Sequence, residues 1–533
     1  MDTAPATVHI ADDTAPAADS DAPVDTATDD TAGSTPSDDT APTVDSGDSA
    51  PIEDTGPPSE CDEAAGLSVL DALLDETAHS LARRLEATLS DEAALGITCT
   101  RDGFDERLYW QTEPAVRHEL DLFGFTSDSD YTCRVAPVCP TMAGPPVTVR
   151  FTTLPAPVDL TGMNVSSHPT LTTSGPPMVL LNTSPCGTPG GYYLALFDLD
   201  GTLRWYHRLT TINTNEIVAQ YHGDGVIVWG GGTSSDGAPH AIDLFGEDIV
   251  AASWPGSASI VYTHEGRMLD DGRMLAFSWN ENSLNGKVWQ GFQLYVTEPG
   301  THKLSWEWSS QTGVDAGMLP DGDADAYHGN WADIQTYKDG TERAYASLCY
   351  LSWVVAIDVA SDELLWRFGP GGDFELQNPD GSPADAADWQ ECQHGVEIND
   401  DELLIYDNGS ERGFSRVSIY TVDEAAMTAT RDWTWTESGW SNPWLGDADY
   451  LPGERVSLTQ ATPSCFTDTG GLQNHITEVD KASGEVVWRG TLNDEDAVTY
   501  RSERSDTCDV MPLTRWCPEV AVIWEEAAAI FGE

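Results

Sequence analysis

Val355-Ala356-Ile357-Asp358-Val359-Ala360-Ser361-Asp362-Glu363-Leu364-Leu365-Trp366 carries the pattern on which the fold turns. An apolar run ends in Asp, a polar turn follows, and a second apolar run is closed by Trp. Short β-rich runs bounded by turn residues read as the two strands of a hairpin. The same phrase returns at Leu194-Ala195-Leu196-Phe197-Asp198 to Trp205, and at Ile476-Thr477-Glu478-Val479-Asp480 through Gly484 to Trp488. Looser copies run from Ala241-Ile242-Asp243 to Trp254, from Leu294-Tyr295-Val296 to Trp306, and from Ile419-Tyr420-Thr421-Val422-Asp423 to Trp433.

Short strands at regular spacing, with one recurrent aromatic per unit, predict an all-β chain folded as a β-propeller. Six Trp-closed hairpins predict six blades. Their spacing of roughly 50 to 67 residues exceeds the roughly 40 to 45 of a WD40 blade, so loops are inserted; Gly369-Pro370-Gly371-Gly372 to Trp389 is one. A Trp at the same place in every repeat is expected to pack between neighbouring blades, where its large apolar area is buried.

Outward from the repeats, the chain divides into three. Residues 1–60 repeat Asp2-Thr3-Ala4-Pro5, Asp13-Thr14-Ala15-Pro16, Asp39-Thr40-Ala41-Pro42 and Asp48-Ser49-Ala50-Pro51, and no Lys or Arg precedes Arg83. So little apolar surface cannot offset ordering entropy, which predicts a disordered acidic stalk, either a tether or a solubilising tail. Residues 61–155 read as a small β-sandwich, with strands at Leu108-Tyr109-Trp110, His118-Glu119-Leu120-Asp121-Leu122, Tyr131-Thr132-Cys133-Arg134-Val135 and Val147-Thr148-Val149-Arg150-Phe151. Leu70, Leu74, Leu81 and Leu85 sit at helical spacing and predict a short amphipathic helix at its start. The turn Leu122-Phe123-Gly124-Phe125 before Tyr131 resembles the end of a fibronectin type III domain. Residues 156–533 are the propeller.

The formal net charge of -64 excludes nucleic acid and anionic membrane as partners, because both would be repelled. No apolar run is long enough to span a bilayer, and no basic-then-apolar leader stands at Met1. The acidic Thr/Ala/Pro segment and ten cysteines predict an exported protein, secreted, periplasmic or at the cell surface, whose true start lies upstream. Cys99 with Cys133 or Cys139, Cys508 with Cys517, and Cys392 with Cys349 or Cys465 are candidate disulfides.

Three histidines head equivalent hairpins. His264 precedes Met268-Leu269-Asp270-Asp271-Gly272-Arg273-Met274-Leu275. His328 precedes Trp331-Ala332-Asp333-Ile334 and the turn Asp339-Gly340. In Gln393-His394-Gly395-Val396-Glu397-Ile398, His394 precedes a strand that pairs back through Leu403-Leu404-Ile405-Tyr406-Asp407-Asn408-Gly409. Equivalent positions of a repeat converge, so these imidazoles are expected at the mouth of the central channel. Asn330, two residues beyond His328, points to the same side of an extended segment. Such a pocket is rich in hydrogen-bond donors and suits an oxyanion, with one imidazole as nucleophile and a protonated one assisting a leaving oxygen. A three-histidine metal centre with one open position is the competing reading. The local spacing holds no His-x-x-x-His or Cys/His ligand pair, and the expectation is no metal and no cofactor.

In combination these motifs, with Val354-Val355-Ala356-Ile357-Asp358 to Trp366, Ser415-Arg416 and Tyr420, resemble the bacterial arylsulfotransferase family over roughly Val158 to Arg504. The resemblance implies a six-bladed propeller acting outside the cytoplasm. It implies transfer of a sulfuryl group from a small phenolic sulfate ester to a phenolic acceptor, with no nucleotide donor. Carried over by motif, His394 matches the nucleophile that is transiently sulfated on a ring nitrogen. His264, His328 and Asn330 match residues that hold the sulfuryl oxygens, one histidine protonating the leaving phenolate. The chain departs from the family at Cys349, which stands where the pattern places an arginine; Arg501 or Arg416 from another blade would then have to supply the cation. Two other readings follow: a non-catalytic propeller that binds a ligand or protein at its mouth, and a quinone-dependent dehydrogenase, whose propellers carry similar repeats but more blades.

Overall fold

The computed structural model describes residues 66–523, apart from 140–141, 158–159, 161, 168–175, 186–190, 211–215, 232–237, 250–253, 255–259, 302, 461–473 and 494–496. The acidic stalk expected over residues 1–60 lies outside the described residues, and so do Cys61, Cys186 and Cys465.

Regular structure is overwhelmingly strand. The expected helix near Leu70 is instead a hairpin: Val69–Glu76 pairs with Arg83–Arg101, with Leu74 opposite Leu85. The i, i+4 spacing of those leucines satisfies a strand as well as a helix, because four residues is a whole number of pleats. Leu85, Ala87 and Leu89 are buried on alternate positions, so the period-2 pattern governs. The 19-residue strand Arg83–Arg101 serves two neighbourhoods. Its first part pairs with Ala115–Leu122, and its second with Arg107–Gln111 and Asp130–Cys139. Cys99 and Cys133 face each other across that second pairing and are joined by a disulfide.

Six further sheets follow among the described residues, antiparallel except where Glu375–Gln377 pairs in parallel with Thr428–Trp435. Five of them hold a Trp-closed hairpin with one shared irregularity, while the expected copy from Ala241 to Trp254 runs partly outside the described residues. The register skips a residue beside the Trp between Leu196 and Phe197, Val296 and Thr297, Ala356 and Ile357, Ile419 and Tyr420, and Glu478 and Val479. A bulge of this kind increases the local twist of the strand pair. The indole N–H groups then stitch sheet to sheet. Trp205 donates to the Leu244 carbonyl at 2.7 Å, Trp308 to that of Asp362 at 3.0 Å, and Trp435 to that of Gly484 at 3.0 Å. Trp366 reaches the Glu424 carboxylate at 3.1 Å. Trp488 of the sixth sheet donates to the Leu199 carbonyl of the first at 3.0 Å, so the series returns on itself in a propeller-like arrangement.

Both ends of the chain contribute to that return. Met163–Ser167 adds a strand to the sixth sheet beside Val486–Leu492, and Ser502–Ser505 adds one to the first beside Met178–Pro185. The N-terminal sheet shares its apolar core with the first two of the six, through Phe123, Trp205, Leu244 and Trp516 among others. At that junction Arg204 is buried between Asp198 at 2.6 Å and Glu106 at 3.0 Å.

Candidate active site

Each of the six sheets has one strand that begins its run: Ile217–Tyr221, Val261–Met268, Gly329–Thr336, Val396–Asn399, Asp447–Leu451 and Ser502–Ser505. Several of these pack directly on one another, Val261–Met268 on Gly329–Thr336 and Val396–Asn399 on Asp447–Leu451 among them. Glu216, His328, His394 and the pair Tyr500-Arg501 stand just before four of these strands, and His264 lies within Val261–Met268 where its register shifts. The repeat thus delivers a candidate functional residue from five of the six sheets to one cluster.

The three histidines gather around Tyr500. Ring centroids of His264 and His328 are 5.2 Å apart, and Tyr500 lies 6.0 Å from His264 and 6.3 Å from His394. His264, His394 and Tyr500 are buried. His264 and His328 both adopt left-handed backbone, φ 58° and 46°, as does Cys392 at 47°. Non-glycine residues in that region cost on the order of 1 kcal/mol or more each, and concentrate where geometry is imposed by function. Gly395 follows His394 because the sixth sheet presses in there: a Cβ would overlap the Asp447 carboxylate and lie 2.6 Å from its Cα.

Each imidazole has a defined partner. His394 Nδ1 lies 2.8 Å from Asn408 Oδ1. His328 Nδ1 lies 2.6 Å from Asp325 Oδ2, while the Asp325 Oδ1 accepts the His328 backbone N–H at 2.9 Å; the ring stacks on half-exposed Tyr350 at 4.7 Å. His264 Nδ1 bonds the Thr263 hydroxyl, and its Nε2 lies 3.7 Å from Glu216 Oε1. Asn330 is buried, gives its amide N–H to the Gln393 carbonyl at 2.8 Å, and leaves Oδ1 without a partner among the described residues. Arg501 is also brought into the cluster. Its guanidinium donates to Glu265 at 2.7 Å and to the Asn330 carbonyl at 2.6 Å, and sits 5.0 Å from the Tyr500 ring. Arg416 stands apart, bound to Asp407 and to the carbonyls of Asp388 and Trp389.

Burial dominates the electrostatics. It lowers His394 to about 3 against the pull of the Asn408 bond, with His328 and Arg501 adding to the depression. It lowers His264 well below 6.5, reinforced by His328, His394 and Arg501. Both are therefore neutral at physiological pH, with an unprotonated ring nitrogen. Further along the same strands, burial raises Asp447 to about 6, Glu397 to about 7 and Glu503 to about 8, and Asp449 rises well above the carboxylate range. Beyond them, at the far ends of the strands, a charged cleft of about 510 Å³ is lined by Gln220, Arg267, Arg273, Asp333 and Glu342.

Cys349 forms a disulfide with Cys392. Its backbone N–H donates to the His328 carbonyl at 3.2 Å, so the bridge ties the His328 turn to the segment that carries His394. Cys508 pairs with Cys517. Among the described residues, no group of three or more His, Cys, Asp or Glu side chains is arranged to hold a metal.

Sequence reasoning passed over three members of the site. In the sequence Asn408 only closes the run from Leu403 to Gly409, and neither Glu216 nor Tyr500 is distinguished from other residues of its type. The signal that reaches Glu216 and Tyr500 is positional: both head the strand that is equivalent to those headed by the histidines.

No curated protein matches the sequence. Among solved structures, the hypothetical selenium-binding protein of Sulfolobus tokodaii covers 78% of this chain and 94% of its own at 10% identity and a TM-score of 0.37. The Cps50 (Swd1) β-propeller domain of Myceliophteria thermophila covers 62% of this chain and 90% of its own, at 10% identity and a TM-score of 0.33. The decisive match is to a sequence family. Residues 169–501, well over half of the chain, fit the arylsulfotransferase (ASST) family model, and that span contains all three histidines, Asn330 and Arg501. This chain belongs to the arylsulfotransferase family.

Proposed function

We propose that this protein is a six-bladed propeller that transfers the sulfuryl group of an aryl sulfate to a phenolic acceptor through a sulfohistidine on His394, without a nucleotide donor. The observation that carries the proposal is the convergence of three imidazoles from equivalent repeat positions in a family whose name is that reaction. His394 is buried and neutral, so its free ring nitrogen is a nucleophile without prior deprotonation.

In the first half-reaction the imidazole lone pair attacks sulfur, the N–S bond forms, and the S–O bond to the aryl group breaks with its electron pair on the phenolate. His328 protonates that oxygen: Asp325 occupies its Nδ1, leaving Nε2 to exchange a proton with substrate, and the carboxylate balances the imidazolium. In the second half an acceptor phenol gives its proton back to His328 and its oxygen attacks sulfur. The N–S bond then breaks and the pair returns to His394. His264 and Asn330 orient the sulfuryl oxygens. Arg501 replaces the family arginine as a fixed positive charge; Glu265 and the Asn330 carbonyl engage one N–H on each terminal nitrogen, and its Nε–H has no hydrogen-bond partner among the described residues.

We also assign residues 61–155 to a β-sandwich module and the propeller to 156–533, on a protein exported to an oxidising compartment. Three disulfides among the described residues fit that location. No described helix is long and apolar enough to cross a membrane. The rival reading, a propeller that only binds, draws on the disulfide-bonded Cys349 in place of the arginine. Release of nitrophenolate from a nitrophenyl sulfate, with and without added phenol, separates the two. Acceptor-dependent turnover in the wild type, lost in folded His394→Ala, is the expected result. Absence of turnover with several donors from folded protein overturns the enzyme reading.

A further inference from the structure

We propose that Asn408 is a positioning residue that fixes the tautomer of His394 and so makes Nε2, and not Nδ1, the nitrogen that takes the sulfuryl group. This rests on the reading of His394 as nucleophile and identifies what prepares it. Asn408 is fully buried, and its amide nitrogen lies 2.8 Å from two carbonyl oxygens, those of Asn442 and Leu445. Carbonyl oxygens only accept, so both must be met by N–H, and the amide has a single allowed orientation. Its Oδ1 therefore faces His394 Nδ1 at 2.8 Å. An amide oxygen carries no hydrogen, so the bond exists only if Nδ1 holds the proton. A neutral imidazole has one N–H, and the lone pair is left on Nε2.

The orienting carbonyls are themselves held. The Ser415 hydroxyl lies 2.8 Å from the Asn408 carbonyl and accepts the Asn442 backbone N–H at 2.7 Å. The Asn442 side-chain amide donates to the Tyr406 hydroxyl at 3.0 Å. On the other side, the His394 backbone N–H donates to the Tyr406 carbonyl at 3.1 Å, which fixes the chain that carries the ring. The imidazole and the amide that reads it thus hang from one rigid frame, and its members are buried.

The same contact acts after attack. Once Nε2 bonds sulfur, the ring keeps the proton on Nδ1 and carries positive charge. The Nδ1–H to Oδ1 bond becomes charge-assisted, and such bonds are roughly twice as strong as neutral ones. Asn408 therefore favours the loaded ring over the free one and needs no proton transfer of its own. With the other tautomer, Nε2–H would face the substrate and the lone pair would be directed at an amide oxygen.

The test uses full-length protein carrying ¹⁵N-labelled histidine, with the His394 signals assigned by their loss in His394→Gln. The expected wild-type spectrum shows His394 with a protonated Nδ1 and a bare, pyridine-like Nε2 at neutral pH. A protonated Nε2 overturns the proposal, whatever any variant does. In Asn408→Ala, the expected result is a shift toward the Nε2–H form and sulfuryl loading from nitrophenyl sulfate slowed about 100-fold, with KM nearly unchanged. Unchanged loading in a folded Asn408→Ala also overturns it, and if that variant fails to fold, the wild-type tautomer decides. Failure of the underlying function looks different: no sulfuryl label reaches His394 at all, in protein whose tautomer is still readable.

Discussion

Replacing Glu503 with glutamine is predicted to stabilise the protein at alkaline pH and to leave it little changed at acid pH. Glu503 lies in the strand Ser502–Ser505, among the other strands that head the sheets. Burial raises its carboxyl from 4.5 to about 8; Asp447 and Glu397 reinforce the rise, and Arg267 and the Tyr221 backbone N–H oppose it. The native state therefore holds a proton that the unfolded chain has already released between those two values. Where the native state binds more protons, stability falls as pH rises. The contribution of Glu503 is full below its unfolded value and is lost as pH climbs through about 8. At about 1.4 kcal/mol per tenfold change in proton activity, the raised carboxyl corresponds to nearly 5 kcal/mol of lost stability at high pH. Glu503 keeps some exposure to solvent and shares the space with other carboxyls, so about 2–4 kcal/mol is the expected effect.

The assay is urea unfolding of wild type and Glu503→Gln at about pH 6 and about pH 9, well separated on this scale. The variant should gain about 1–2 kcal/mol relative to wild type on going to the higher pH, since part of the loss has already accrued below about pH 6, with an unchanged m-value. His264 and His394 do not confuse the result. Their depressed values make stability rise with pH up to the ordinary histidine range near 6.5, but that rise is common to wild type and variant and cancels in their difference. An equal difference between variant and wild type at both pH values would refute the reasoning, as would a wild type that becomes more stable across the window.

Two further outcomes follow from particular groups. Because His394 is held at about 3, single-turnover sulfuryl loading should lose no rate through protonation of the nucleophile between about pH 8 and about pH 5; Asp325→Asn, which removes the carboxylate bonded to His328, should slow the loading, and an unchanged rate in the folded variant would contradict the assignment of the acid. Trp488→Ala should cost about 3–5 kcal/mol in the same unfolding assay, because the side chain is fully buried and its indole N–H joins the sixth sheet to the first, whereas Trp488→Phe should cost less.

The repeat was legible in the sequence because each Asp-turn-Trp hairpin contains its own reason to form: alternating apolar strands, turn residues at the right offset, and an aromatic large enough to need a neighbour. The bulge beside the Trp was not legible, since a one-residue skip leaves the composition of both strands unchanged. At the start of the N-terminal sheet the sequence misled. Leu70, Leu74, Leu81 and Leu85 fit a helical face, but the pairing of Leu74 with Leu85 belongs to a hairpin, which no local window spans. The disulfides were narrowed to alternatives, and geometry chose Cys133 for Cys99 and Cys349 for Cys392.

At the site, the line between what was readable and what was not runs between residues with distinctive chemistry of their own and residues that hold them in place. His264, His328 and His394 announce themselves because histidine is uncommon and each stands at a matched point in the repeat. Asn408 does not, because its chemistry depends on where its amide hydrogens go, and that is decided by the carbonyls of Asn442 and Leu445, more than thirty residues downstream. Cys349, where the resemblance leads one to expect an arginine, shows the same asymmetry from the other side. By sequence it is a lost cation. In three dimensions the cysteine fastens the His328 turn to the His394 segment, while Arg501, arriving from the other end of the chain, places a guanidinium beside the same rings. Charge and rigidity are both present in the cluster, but they are supplied by residues that no single motif contains.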